Sequence, residues 1–335
     1  MSEQSERTIG LGSLRQRRLV AERRGGVKRP VLVLAVAAAL AAAVPWFVDD
    51  YTTATLSRLL VLGLVGLSVA LLTGVTGLPT LGQTAPFAAG AYAAAHVDGP
   101  ARLVAAIGIG AAFALVAAPL VVYARGVYVL MITLAIGELA ITVAGRWKSV
   151  TGGTDGLVAA PALDTDRGRY LYALAVVGVI VALVLLALRS PAGLLLRASR
   201  DDEARMRASG HPVTAYLTGA YVAAGGIAGA GGALLVTTQQ YVSPADFSFD
   251  TAALLLLGVV IGGAGSMLGA VAGTALVFAA RDWLSGLLPG HAPLLLGVVF
   301  VLTAYLLPRG VAGFDWRRIG RRDRAAKGVL WRTSS

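Results

Sequence analysis

The chain has 335 residues, of which 56% are hydrophobic and 14% charged, and its formal net charge is +11. Soluble chains carry about a quarter charged residues, so this balance excludes an ordinary water-soluble domain and points to one helical bundle in a membrane. There is no cysteine, hence no disulfide framework or thiolate metal site, and the three histidines, His96, His211 and His291, stand far apart.

A spanning helix takes roughly 20 apolar residues, and that template orders the chain. Residues 1–29 form a basic tail holding Arg15, Arg17, Arg18, Arg23 and Arg24. The first apolar run, 31–48, lacks a small-residue cleavage site and reads as a retained helix, stopped by Pro45, Asp49 and Asp50. Residues 56–73 return. A stretch over 80–97, punctuated by Gly82, Pro86 and Gly90, is barely long enough to cross. Further spans are expected over 102–123, 127–144, 170–188 and 213–236. The apolar stretch 251–278 is broken by Gly262-Gly263-Ala264-Gly265-Ser266 and reads as two helices joined by a tight turn. A last span over 292–307 precedes a second basic tail, 309–335.

The charges sort these segments by side. Asp49, Asp50, Asp98, Asp155, Asp164, Asp166, Asp246 and Asp250 fall in the loops on one side. Both tails and the cluster Arg189, Arg197, Arg200, Arg205 and Arg207 fall on the other. Positive residues accumulate on cytoplasmic loops, which places both termini in the cytoplasm. The expected architecture is all-α with about ten spans, or eight if the two weakest segments are re-entrant. Its parts are a cytoplasmic tail over 1–29, a transmembrane domain over 30–308 with a cytoplasmic loop over 189–212, and a cytoplasmic tail over 309–335.

The loop 189–212 is long, amphipathic and dense in paired charge. Ser190-Pro191 begins a short helix, Leu194, Leu195 and Ala198 recur at helical spacing, and Gly210 with Pro212 ends the element. Arg200, Asp201, Asp202 and Glu203 form a mixed cluster. Three acidic residues together disfavour a helix lying on an anionic leaflet and fit the docking surface of a soluble partner.

Three other features carry chemistry. Gln83 and Thr84 lie in a segment too irregular to face lipid, and broken backbone at membrane depth is tolerated where it is buried or lines a cavity. With Gly82 and Tyr92 they are the candidate translocation path. Glu138 is the only acidic residue well inside an expected span. It reads either as a lining residue of that path or as a structural carboxylate bonded to Gln83, Thr84 or Tyr92. Gly152, Gly153, Thr154, Asp155 and Gly156 form a turn outside, where Asp155 caps a following helix or touches another protein. The runs Gly225-Gly226, Gly229, Gly231-Gly232 and Gly262-Gly263 are expected to allow close helix packing. No Gly-x-x-x-x-Gly-Lys-[Ser/Thr] occurs, so ATP phosphates are not cradled here by a P-loop.

Four stretches in order resemble the branched-chain amino-acid permease family of ATP-binding-cassette importers, on the M-type side. They are Gly77-Leu78-Pro79-Thr80-Leu81-Gly82-Gln83-Thr84-Ala85-Pro86-Phe87; Tyr128 through Ile132-Thr133-Leu134-Ala135-Ile136-Gly137-Glu138; Thr151-Gly152-Gly153-Thr154-Asp155-Gly156; and 189–210 followed by Gly262 to Gly269. The resemblance spans about residues 56 to 314. It implies a transport subunit, not an enzyme, in the bacterial cytoplasmic membrane. It also implies a coupling helix over 197–210 that docks into an ATPase through Arg197, Arg200, Asp201, Asp202, Glu203, Ala204, Arg205 and Gly210. Here Glu203-Ala204 is followed by Arg205, and Gly210 stands one residue beyond the family's usual place. The implied partners are a second related permease, two cytoplasmic ATPase subunits that bind ATP-Mg, and an extracytoplasmic solute-binding protein; this chain itself would bind no cofactor. Leucine, isoleucine or valine are the implied substrates, with urea, short amides or other amino acids as alternatives. A secondary transporter driven by an ion gradient is the competing reading.

Overall fold

The computed structural model describes residues 41–287 other than 162 and 164, together with residues 294, 297 and 298. The chain divides into two units, Met1–Thr53 and Ala54–Ser335. In the described part of the first unit, helix gives way to a 3₁₀ turn at Val44–Trp46. Phe47 N–H closes that turn on Val44 O at 3.0 Å. The stop expected at Pro45 is therefore present. Both basic tails, and most of the spans expected over 31–48 and 292–307, lie outside the described residues.

Among the described residues ten α-helices of six or more residues follow, besides a single helical turn at Lys148–Thr151: α1 (Asp50–Ala70), α2 (Thr84–Ala95), α3 (Ala101–Val122), α4 (Val127–Arg146), α5 (Asp166–Arg189), α6 (Pro191–Asp201), α7 (Glu203–Ala208), α8 (Val213–Gln239), α9 (Phe249–Gly262) and α10 (Met267–Leu287). Among the described residues, seven stretches are long and apolar enough to cross a membrane: Asp50–Thr76, Ala101–Val122, Val127–Arg146, Asp166–Arg189, Val213–Gln239, Pro244–Gly262 and Met267–Gly286. The chain is thus an all-α, multi-pass membrane bundle. The segment expected over 80–97 is the exception. Its 12 helical residues rise only about 18 Å against about 30 Å of hydrocarbon, so α2 reaches partway and is buried in protein.

Small residues decide which helices touch. α8 packs along α2 and α3 because Gly225, Gly229 and Gly232 bring its backbone onto Gly110, Ala106 and Ala91. A Cβ on Gly110 would stand 2.6 Å from Gly225 O. α9 and α10 form a hairpin through Gly258, Gly262 and Gly273, and α10 meets α1 where Gly63 and Gly66 face Val271 and Thr274. The expected close packing at the glycine runs is what these helices do, and van der Waals contact between backbones replaces the hydrophobic drive that lipid cannot supply. α1 and α8 are largely buried, whereas most of α3, α4 and α5 is uncovered and apolar, as with Val116, Leu120, Val179 and Leu183.

The loops segregate as the charges require. One end, the basic end, gathers the α3–α4 turn, α6, α7 and the Gly263–Ser266 turn. The opposite end gathers residues 96–100, 147–161 and 240–250. There β1 (Leu157–Val158) pairs antiparallel with β2 (Tyr241–Val242), and the buried Arg102 donates to Val97 O at 3.1 Å and Ala160 O at 3.1 Å.

Candidate functional site

At the basic end the loop forms two helices, not one. The backbone breaks at Asp202 (φ −155°, ψ 89°), whose carboxylate accepts from Arg205 N–H at 3.0 Å and caps α7. Asp in this role satisfies a donor that the first turn leaves free. α7 ends in a Schellman closure: His211 N–H donates to Met206 O at 3.2 Å and Gly210 N–H to Arg207 O at 3.0 Å. Gly210 holds φ +80° there, a conformation glycine adopts without a Cβ clash. No residue of α7 is buried.

Leu194 is 63% exposed; Gly193 and Ser199 are the buried positions, because α6 turns them toward the bundle. Of the expected docking residues, Arg197, Arg200 and Asp201 line a cavity of about 500 Å³ on that side, and Arg200 donates to Gly74 O. Asp202, Glu203, Ala204, Arg205 and Gly210 belong to the exposed break and to α7 or its end. Glu203 is gripped twice, by Arg207 at 2.8 Å and by Arg125 at 2.6 Å. Arg125, in the α3–α4 turn and 78 residues away in the chain, is a connection that the sequence does not reveal.

Behind this face, α1 runs on as a π-helical segment, Leu71–Thr76, the kind of local unwinding that recurs at functional sites. The irregular stretch after it leans on α4. Leu81 N–H donates to Thr133 Oγ at 3.2 Å. A Cβ on Gly82 would stand 2.6 Å from Thr133 O, and one on Gly137 would stand 3.4 Å from Thr84 Oγ. Gly82, Gln83 and Thr84 are thus brought together, fully buried, against Thr133 and Gly137. Among the described residues, neither amide atom of Gln83 has a hydrogen-bond partner. Thr133 and Gly137, four residues apart on one face of a helix, were a polar and small pair readable in the sequence.

Tyr92 and Glu138 do not join this cluster. Tyr92 lies toward the other end of α2, its ring 5.9 Å from that of Phe247, and it lines an apolar groove of about 680 Å³ between α2, α3 and α4. Glu138 is exposed and points away from Thr133 and Gly137. Among the described residues it makes no hydrogen bond to Gln83, Thr84 or Tyr92. It falls instead on the stripe Tyr128, Met131, Ala135, Glu138 and Thr142, all exposed. The reading of Glu138 as a carboxylate turned into this chain's own interior is corrected, because α4 presents its small residues inward and its acid outward.

At the opposite end, Gly152, Gly153 and Gly156 all take positive φ and build a turn pinned by Thr151 Oγ, which donates to Trp147 O at 2.7 Å. Tyr241 O–H donates to Asp155 O at 2.8 Å. Asp155 is followed by β1 and not by a helix, so its contribution to the turn is through the backbone. Thr154 and Asp155 remain exposed.

The family of the branched-chain amino acid transport system permease component matches residues 51–304. The high-affinity branched-chain amino acid transport system permease protein LivM of Escherichia coli (strain K12) is 27% identical, with 91% of this chain aligned to 80% of that protein. LivM of Salmonella typhimurium is 26% identical over the same shares. A branched-chain amino acid transport permease protein, LivH, of Methanocaldococcus jannaschii is 25% identical, with 79% of this chain aligned to 92% of that protein. No solved structure matches the chain significantly.

Proposed function

The chain belongs to the family of branched-chain amino acid transport permease components, and from that premise we propose that it is the membrane-spanning half of an ATP-driven importer of leucine, isoleucine or valine. It is a transport subunit and not an enzyme. The observation that carries the coupling role is α7: a short helix with no buried residue, tied through Glu203 to Arg125 between two spans. Such a helix is a handle. A soluble ATPase that grips it moves the α3–α4 turn, and with it the wall against which Gly82, Gln83 and Thr84 rest.

In this reading the basic end faces the bacterial cytoplasm, ATP-Mg is held by two ATPase subunits, and a solute-binding protein delivers its cargo to Thr154 and Asp155. The path runs past Gln83 and Thr84, with Tyr92 nearer the outer opening. Glu138 faces the second permease. A carboxylate at mid-span costs about 3 kcal/mol on insertion scales, so the α4 stripe that carries it meets a polar path or a partner chain and not lipid. Alternating access then opens the seam between the two permeases.

The absence of native cysteine makes the test direct. In the assembled complex, Ala208→Cys is expected to react with an impermeant maleimide only in inverted vesicles, and to be shielded when the ATPase subunits are bound. Thr154→Cys is expected to react only from outside. Labelling of Ala208→Cys from outside, or undiminished labelling with the ATPases bound, overturns the proposal. So does leucine uptake that survives ATPase inactivation and collapses with an uncoupler.

A further inference from the structure

The cavity at the basic end has two kinds of wall. Arg189 ends α5, Arg197 and Arg200 come from α6, and the N-terminus of α10 opens on it, with Ser266 Oγ accepting from Gly269 N–H at 3.1 Å. Arg200 is engaged by Gly74 O. Arg189 and Arg197 have no carboxylate partner among the described residues, and Asp201 is the single acid in the lining. Three guanidiniums against one carboxylate leave the cavity net positive, and a helix N-terminus adds partial positive charge. The remaining wall is apolar, from Leu185, Leu188 and Met267. It sits where α5 leaves the hydrocarbon, since Leu188 is the penultimate residue of that span.

Arginines beside leucines at a helix end fit an amphiphile and not a bare ion. We propose that this cavity binds the phosphodiester headgroup of an anionic phospholipid, with Arg189 and Arg197 on the phosphate and the acyl chains along Leu185 and Leu188. Basic pockets between spans hold acidic headgroups in this way. A zwitterionic lipid brings its own cation and gains less from the excess positive charge. The bound lipid touches α5, the π-helical segment and α6 at once. It braces the coupling loop from the bundle side and leaves α7 free for the ATPase. This inference rests on the membrane bundle and does not depend on the transport reading.

The test is native mass spectrometry of the full chain after reconstitution into nanodiscs of phosphatidylcholine with a minor share of phosphatidylglycerol. Wild type is expected to retain phosphatidylglycerol in preference to phosphatidylcholine on delipidation. The Arg189→Gln/Arg197→Gln pair is expected to weaken that retention roughly 25-fold, from about fivefold per guanidinium. Arg189→Lys/Arg197→Lys should keep most of it, and Arg146→Gln at the opposite end should leave it unchanged. Equal retention of the two lipids by wild type, a measurement that needs no variant, overturns the proposal. Wild-type retention by the double Gln variant does the same. Displacement of phosphatidylglycerol by millimolar inorganic phosphate would show a free-anion site and would also overturn it.

Discussion

The guanidinium of Arg125 meets the carboxylate of Glu203 at 2.6 Å, joining the turn between α3 and α4 to the first residue of α7. Both groups are partly exposed, so the pair stabilises the fold by at most about 1 kcal/mol. Its value is directional. Arg207 holds the same carboxylate at 2.8 Å, and α7 is oriented by this clasp more than by burial.

Removing either partner should therefore impair transport more than folding. Arg125→Ala and Glu203→Ala are each expected to lower leucine uptake severalfold with the amount in the membrane unchanged. The double variant should be no worse than the more severe single one, because both changes break one link. Uptake assays with membrane immunoblots decide it; fully additive losses would mean that the two residues act separately.

Gly210 gives a graded series. Its φ of +80° costs a residue with a Cβ roughly 1–2 kcal/mol, less for Asn. Proline cannot reach that φ and also loses the N–H bond to Arg207 O. Uptake should fall in the order Gly, Asn, Ala, Pro, with insertion intact throughout. A proline variant with wild-type uptake would show that the closure of α7 is dispensable.

Gly229 tests the bundle itself. A side chain there runs into Ala106 O and the backbone of Gly110, whereas Gly108, on the same helix as Ala106, has open space around it. Gly229→Val is expected to destabilise the purified protein by about 1–3 kcal/mol through overpacking. Gly108→Val should leave its thermal unfolding midpoint nearly unchanged. Equal midpoints for the two variants would contradict the α3–α8 contact.

Gln83 and Glu138 separate function from stability. Gln83 is buried with both amide atoms unpartnered among the described residues, an arrangement that costs roughly 1–3 kcal/mol. Gln83→Leu should thus leave the midpoint unchanged or raise it while uptake falls at least tenfold. Glu138→Leu should likewise insert normally and lose uptake. If Glu138→Leu transports like wild type, the α4 stripe faces lipid and not a partner or a path.

Much of this was legible in the residues. Length and hydropathy marked the spans, and the charges sorted the loops by end; Arg102 pairs with Asp98 at one end, and Arg125, Arg200 and Glu203 lie together at the other. The glycine runs along α8 announced close crossings. Less legible was the division at Asp202, because Asp-Asp-Glu suits both a continuous helix and a new N-cap. Which face of α6 turns inward was not legible either, since there glycine and serine, and not the leucines, let the helix lie close to the bundle.

What the sequence determined by itself is therefore the class of the molecule: a helical membrane bundle with a basic and an acidic end, carrying an irregular segment at Gly82–Thr84. Those properties follow from transfer free energies and charge, which each segment possesses alone. Tertiary structure decided which face of each helix is covered, and so turned Gln83 inward and Glu138 outward and joined Arg125 to Glu203. Each of these outcomes depends on which distant segment becomes the neighbour, and no single stretch of chain contains that information.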